Sequence, residues 1–162
     1  EQVDWPGRLE VVQREPLLVL DAAHNGESAL RLRAALDTLF SRRPLVLIFR
    51  ASADKDVTGM FKALLPAVDV MIAAQAVHPR ALDPAMIEEK ARETGFAGPV
   101  YQIPDVGKAL RHAETVAGPA GMVLTTGSLF IVGEVRTVCG LPAGHVARAA
   151  VEGPLPSDTA AF

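Results

Sequence analysis

Side chains able to do polar chemistry cluster where an apolar run stops. Leu17-Leu18-Val19-Leu20 gives way to Asp21-Ala22-Ala23-His24-Asn25, which sets an acid, an imidazole and an amide side by side. In open parallel α/β sheets, ligands bind outside the carboxyl ends of the strands, where such groups would lie. A helix-period pattern begins immediately afterwards. The N-terminus of that helix would add unpaired N–H groups and partial positive charge, which favour an anion.

Several elements must position these groups. Leu9–Val12 and Leu17–Leu20 are apolar runs flanking Arg14-Glu15-Pro16, a pair expected to run antiparallel. Leu32, Leu36, Leu39 and Phe40 fall on one helical face, with Asn25 as the expected N-cap and Glu27 complementing the helix dipole. Leu45–Phe49 is an unbroken apolar run, expected of a strand covered on both faces. The polar loop Arg50–Asp56 leads to a helix carrying Met60, Phe61, Leu64 and Leu65, capped by Asp54 or Asp56. Val68–Ala74, Val100–Ile103 and Met122–Thr125 read as further strands. Asp83-Pro84 and Asp105 open helices that Gly95 and Gly118-Pro119 close. A last helix follows Gly127-Ser128 and runs to about Thr137. This alternation predicts a Rossmann-like, doubly wound α/β fold: a mostly parallel sheet of about six strands, one antiparallel edge strand, and helices on both faces. Residues 1–140 read as one domain, and 141–162, rich in Ala, Pro and Gly, as a mobile tail.

Composition narrows the function classes. The chain has 162 residues, 49% hydrophobic and 22% charged, the balance of a soluble globular domain. A net charge of −3 argues against a nucleic-acid partner. No apolar run is long enough to span a membrane. A lone cysteine, Cys139, excludes an intrachain disulfide framework, fits the reducing cytoplasm, and reads as a small core residue. The opening Glu1-Gln2-Val3-Asp4-Trp5 reads as the middle of a longer protein. Neither G-x-G-x-x-G nor G-x-x-x-x-G-K-[ST] occurs, no G-x-S-x-G elbow is present, and the four histidines lack metal-ligand spacing. No metal-binding residue is therefore assigned. A nucleotide handled by this fold would need its phosphates held by another domain.

Trp5-Pro6-Gly7-Arg8, Asp21-Ala22-Ala23-His24-Asn25, Ala51-Ser52-Ala53-Asp54-Lys55-Asp56, Pro79-Arg80-Ala81 and Thr126-Gly127-Ser128-Leu129-Phe130 stand in this order, followed by Gly133-Glu134-Val135-Arg136. From about Trp5 to about Arg136 the chain resembles the C-terminal domain of folylpolyglutamate synthase/dihydrofolate synthase, in the Mur ligase superfamily. It departs from that pattern at Ala22 (usually glycine), Gly26 (usually proline) and Arg50 (usually glycine). Arg50 is the largest departure, beside the expected cleft.

The resemblance implies an ATP-dependent ligase that adds L-glutamate to folate through an acyl phosphate. ATP and Mg2+ would be held mainly by an N-terminal ATPase domain in the same, monomeric chain. The 162 residues alone are therefore expected to be inactive and to bind ATP weakly. The resemblance assigns no catalytic residue here. It implies that Arg8, Asp21, His24 and Asn25 contact ATP: Arg8 as a planar cationic fork for phosphate, Asp21 as acceptor from the ribose hydroxyls. Ser128, Lys55 and Arg80 would face glutamate or the cleft, Ser128 with the help of its helix N-terminus. Blander roles stand beside these. Asp21, Asn25 and Ser128 are also natural helix caps, Lys55 suits a solvated helix start, and Arg8 an interdomain linker. Trp5 reads as a hinge or packing anchor, and His78 and His112 as surface residues. Two rival functions remain, a cell-wall Mur ligase domain and a non-catalytic Rossmann-like binding module.

Overall fold

A computed structural model of the protein describes residues 7–75 and 78–142. Trp5, His145 and the segment 143–162 lie outside the described residues. The elements follow one another as β1 (Glu10–Arg14), β2 (Leu17–Leu20), α1 (Gly26–Leu39), β3 (Leu45–Phe49), α2 (Val57–Leu64), a 3-10 turn (Leu65–Ala67), β4 (Val70–Ala73), α3 (Pro84–Glu93), β5 (Val100–Gln102), α4 (Val106–Ala117), β6 (Met122–Thr126) and α5 (Leu129–Val138). They form a six-stranded sheet in the order β1-β2-β6-β3-β4-β5. Among the described strand pairs of this sheet, only β1–β2 is antiparallel, with a register shift between Val11 and Gln13. The doubly wound α/β fold expected from the sequence is the fold present.

Alternation along the central strands builds two cores. Leu17, Val19, Leu45, Leu47, Phe49, Met122 and Leu124 point to the face covered by α1, α2 and α3. Leu18, Leu20, Val46, Ile48 and Val123 point to the face covered by α4 and α5. Both faces are thus buried, which is why β2, β3 and β6 carry no exposed residue at all. The helices start where the sequence places their caps: Asn25, Asp56, Asp83, Asp105 and Ser128 each accept a backbone N–H from the first turn of their helix.

The sheet order creates one switch point. The chain leaves β2 through α1 on one face, and leaves the neighbouring β6 through α5 on the other. The two helices diverge from adjacent strand ends, and a crevice opens between them.

Three expectations are corrected. Leu39 is not on the buried stripe of α1, which consists of Ala29, Leu32 and Leu36. The helix ends there, and Phe40, in extended backbone beyond it, packs on the core in its place. Leu65 belongs to the 3-10 turn rather than α2, because Pro66 follows it. His112 is not solvent-facing: its ring meets Tyr101 of edge strand β5 edge-on at 4.5 Å, and Nε2 is shielded from water without a hydrogen-bond partner. Arg50, which opens the polar loop after β3 as expected, is buried.

Candidate functional site

The crevice at the switch point is an open cleft of about 530 Å³. Its lining includes Arg8 from the segment before β1, Asp21, Ala22, Ala23, His24 and Asn25 from the end of β2, and Leu129 from the start of α5. The four residues Arg8, Asp21, His24 and Asn25 are therefore brought together. Backbone bonds across adjacent strand ends fix this rim, since Asp21 N–H donates to Thr125 O at 3.0 Å and Gly127 N–H to Ala23 O at 3.1 Å.

Asp21 does not cap the following helix. Its Oδ2 accepts the N–H of Leu9 at 2.9 Å and its Oδ1 that of Ala23 at 2.8 Å. A carboxylate has about four lone-pair sites, so two remain for a hydroxyl donor. Burial pushes the Asp21 carboxyl above its ordinary value, outweighing the two backbone N–H groups and the positive charge of Arg8, which act the other way. His24 places Nδ1 at 3.1 Å from the carbonyl of Ala22. A carbonyl only accepts, so Nδ1 carries the proton. Nε2 then accepts a hydrogen bond in the neutral ring and donates only in the imidazolium. Asn25 forms a capping box with Ser28, whose N–H and hydroxyl both donate to Asn25 Oδ1 at 2.8 Å. That role consumes the amide oxygen and leaves the Nδ2 donors to a ligand.

The other three sequence candidates do not line this cleft. Ser128 is half-buried beside it as the N-cap of α5, its Oγ accepting Ile131 N–H at 3.3 Å. Gly127 makes that turn possible. Its φ is +113°, and a Cβ there would stand 2.2 Å from the Arg50 carbonyl oxygen. Lys55 is exposed and lies 3.9 Å from Asp54. Arg80 is exposed on the loop after β4, which touches the Lys55 loop through Ala53 N–H to Arg80 O at 2.9 Å and the Ser52–Ala81 bridge. Lys55 and Arg80 thus share a second stretch of rim, beyond the ends of β3 and β4.

Arg50 joins this second stretch to α5. Its side chain is 6% exposed, pairs with Glu134 at 2.6 Å, and sets its guanidinium carbon 6.0 Å from the centre of the Phe130 ring. His78, exposed, lies 6.3 Å from the same ring. Among the described non-glycine residues only Leu9 has positive φ, so Arg50 needs no glycine-like backbone. The buried charge is accommodated by its pairing with the exposed Glu134 carboxylate.

Sequence reasoning missed Glu27, Ser28, Arg31 and Ala35, which continue the cleft along α1. Their spacings of three, four, seven and eleven residues from His24 carried the signal, because they repeat the helical period on one face. Cys139 packs partly buried against the α4/α5 core, as expected. Burial and then the Glu114 and Glu10 carboxylates push its thiol pKa up, which disfavours the thiolate. Among the described residues no three His, Cys, Asp or Glu converge to hold a metal ion. No helix among them is long and apolar enough to cross a membrane.

The chain is similar to known proteins over most of its length. The family model described as "Mur ligase, glutamate ligase domain" matches residues 7–129. A probable bifunctional folylpolyglutamate synthase/dihydropteroate synthase of Haloferax volcanii is 37% identical over 140 residues, which cover 82% of this chain and 16% of that protein. The dihydrofolate synthase/folylpolyglutamate synthase of Bacillus subtilis is 30% identical over 138 residues, 82% of this chain and 30% of that one. The crystal structure of Mycobacterium tuberculosis folylpolyglutamate synthase complexed with ADP and AMPPCP superposes with a TM-score of 0.80 at 32% identity. That match covers 87% of this chain and 34% of the other. The chain therefore spans between about a sixth and a third of the length of these relatives.

Proposed function

The chain belongs to the Mur ligase family, whose glutamate ligase domain it carries, and from that premise we propose that it serves an ATP-dependent ligase joining L-glutamate to a folate. In this reading ATP transfers its γ-phosphoryl group to a folate carboxylate, giving an acyl phosphate and ADP. The amino nitrogen of L-glutamate then attacks the acyl carbon, inorganic phosphate leaves, and an amide bond remains. The domain forms one wall of the cleft. A second, N-terminal ATPase domain of the same cytoplasmic, monomeric protein supplies the phosphate loop and the magnesium ligands.

The observation that carries the reading is the convergence of Arg8, Asp21, His24 and Asn25 at the β2/β6 switch point. Asp21 has acceptor capacity beyond its two backbone bonds and suits the ribose hydroxyls. Arg8 supplies a permanent cation for phosphate oxygens. His24 Nε2, the acceptor of a neutral ring, suits a hydroxyl or amino donor of the nucleoside. Ser128, at the start of a ten-residue helix, offers its hydroxyl and the helix N-terminus to the glutamate carboxylate. Lys55 and Arg80, on their shared stretch of rim, add positive charge for the second carboxylate. Among the described residues no three His, Cys, Asp or Glu converge on a metal site, in keeping with magnesium ligands supplied by the other domain.

The test is ligation by the full-length protein, followed as phosphate release and as product mass. The expected result is release that requires ATP, magnesium, L-glutamate and a reduced folate or dihydropteroate together, with a product one glutamyl residue heavier. Ligation only of a UDP-muramoyl peptide would move the assignment to cell-wall chemistry. No ligation of any of these acceptors would leave a binding module. The 162-residue chain alone is expected to give no turnover, because it has no glycine-rich loop to cradle a triphosphate.

A further inference from the structure

We propose that the ion pair between Glu10 and Arg136, which lies outside the cleft, positions Arg8, making both members positioning residues for the ATP contact. The inference rests on the reading that Arg8 meets ATP phosphate.

The segment bearing Arg8 is pinned on both sides of that residue. Gly7 O accepts Ala22 N–H at 2.8 Å, and Leu9 N–H donates to Asp21 Oδ2 at 2.9 Å. Leu9 sits at φ +48°, a conformation that a bulky side chain adopts only when its surroundings enforce it. Glu10 supplies part of that enforcement. Its Oε2 reaches back to Gly7 N–H at 2.9 Å, folding residues 7–10 into a closed loop with Arg8 inside the turn.

The other oxygen of the same carboxylate, Oε1, is held by Arg136 Nη1. The two side chains are only 14% and 8% exposed, so the pair is shielded from the solvent that weakens surface ion pairs. Arg136 is itself oriented by a second bond, Nε–H to Pro142 O at 3.0 Å. It belongs to α5, whose first residue, Leu129, lines the cleft. One helix therefore touches the cleft at its start and holds the Arg8 loop near its end. Both oxygens of Glu10 face donors, so an isosteric amide must turn its own N–H groups towards one of them. Glu10→Gln thus unlocks either the loop or the arginine while keeping the side-chain volume.

A double-mutant cycle on the full-length protein separates positioning from plain stability. KM and kcat for ATP are measured for wild type, Arg8→Ala, Glu10→Gln and the double variant, at a temperature where circular dichroism shows each one folded. Arg136→Lys, which keeps the charge but loses the two-pronged fork, is carried through the same cycle and replaces Glu10→Gln should that variant not fold. The expected result is a rise in ATP KM of about tenfold for Arg8→Ala and several-fold for Glu10→Gln, with KM for glutamate unchanged. The double variant should be no worse than Arg8→Ala alone. If Glu10→Gln raises the ATP KM by the same factor with and without Arg8, or leaves it unchanged while Arg8→Ala raises it, the positioning role is overturned and the ATP role of Arg8 stands. If Arg8→Ala itself leaves the ATP KM unchanged, the ATP role of Arg8 fails first and the positioning role with it.

Discussion

The carboxylate of Asp21 holds the backbone N–H of Leu9 at 2.9 Å, tying the segment that carries Arg8 to the end of β2. The same acid is mostly buried, and burial raises its pKa despite two backbone donors and the nearby arginine. Folding therefore favours its protonated form. Its contribution to stability is fully present below the ordinary aspartate pKa and is lost as the pH rises through the raised folded value. Urea unfolding of wild type and Asp21→Asn at a series of pH values between about 4 and 7 should show wild type losing stability relative to the variant across that window. A gain relative to the variant would mean the folded-state pKa is depressed instead.

Gly127 carries a second dependence. At φ +113°, with the Arg50 carbonyl oxygen only 2.2 Å from where a Cβ would be, the turn that presents Ser128 accepts no side chain without strain. Gly127→Ala should cost about 3 kcal/mol or more through strain and overpacking. A shift of the urea midpoint corresponding to less than about 0.5 kcal/mol would show that this turn relaxes freely.

Arg50 and Glu134 form an unequal pair, one side chain 6% and the other 46% exposed. Removing the outer partner leaves a buried guanidinium without its counter-charge. Glu134→Ala should therefore destabilise the fold by about 1–3 kcal/mol, less than a fully buried pair because water reaches Glu134. Thermal unfolding measures this, and an unchanged midpoint would mean that Arg50 finds solvent or another acceptor.

Cys139 should react slowly with disulfide reagents at neutral pH, because burial and two nearby carboxylates keep the thiol protonated. The rate should climb as the pH rises above that of an ordinary thiol. A rate equal to that of a free cysteine at neutral pH would contradict the placement.

Much of this architecture was legible in the sequence, and the pattern of failure has physical causes. Leu45–Phe49 is read without error because a strand covered on both faces leaves no polar interruption. Asn25, Asp83 and Asp105 are read as caps because their job is local: each bonds within three residues. The pairing of Arg50 with Glu134 is not legible because the two lie 84 residues apart. The Glu10–Arg136 pair joins residues 126 apart and leaves no local trace at all. The insertion of β6 between β2 and β3, which creates the switch point, is likewise a property of the whole chain. The candidate site divides the same way. Asp21, His24 and Asn25 are neighbours in sequence. Arg8 joins them through long-range bonds, and Lys55 and Arg80 fall on a separate part of the rim.

The central claim is that the β2/β6 crevice receives the nucleoside and phosphates of ATP. A crystal structure of the full-length protein with a non-hydrolysable ATP analogue tests it most directly. The ribose hydroxyls should lie within about 3 Å of the Asp21 carboxylate, with a phosphate oxygen at similar distance from the Arg8 guanidinium. An analogue bound elsewhere, with neither Asp21 nor Arg8 in contact, would contradict the account.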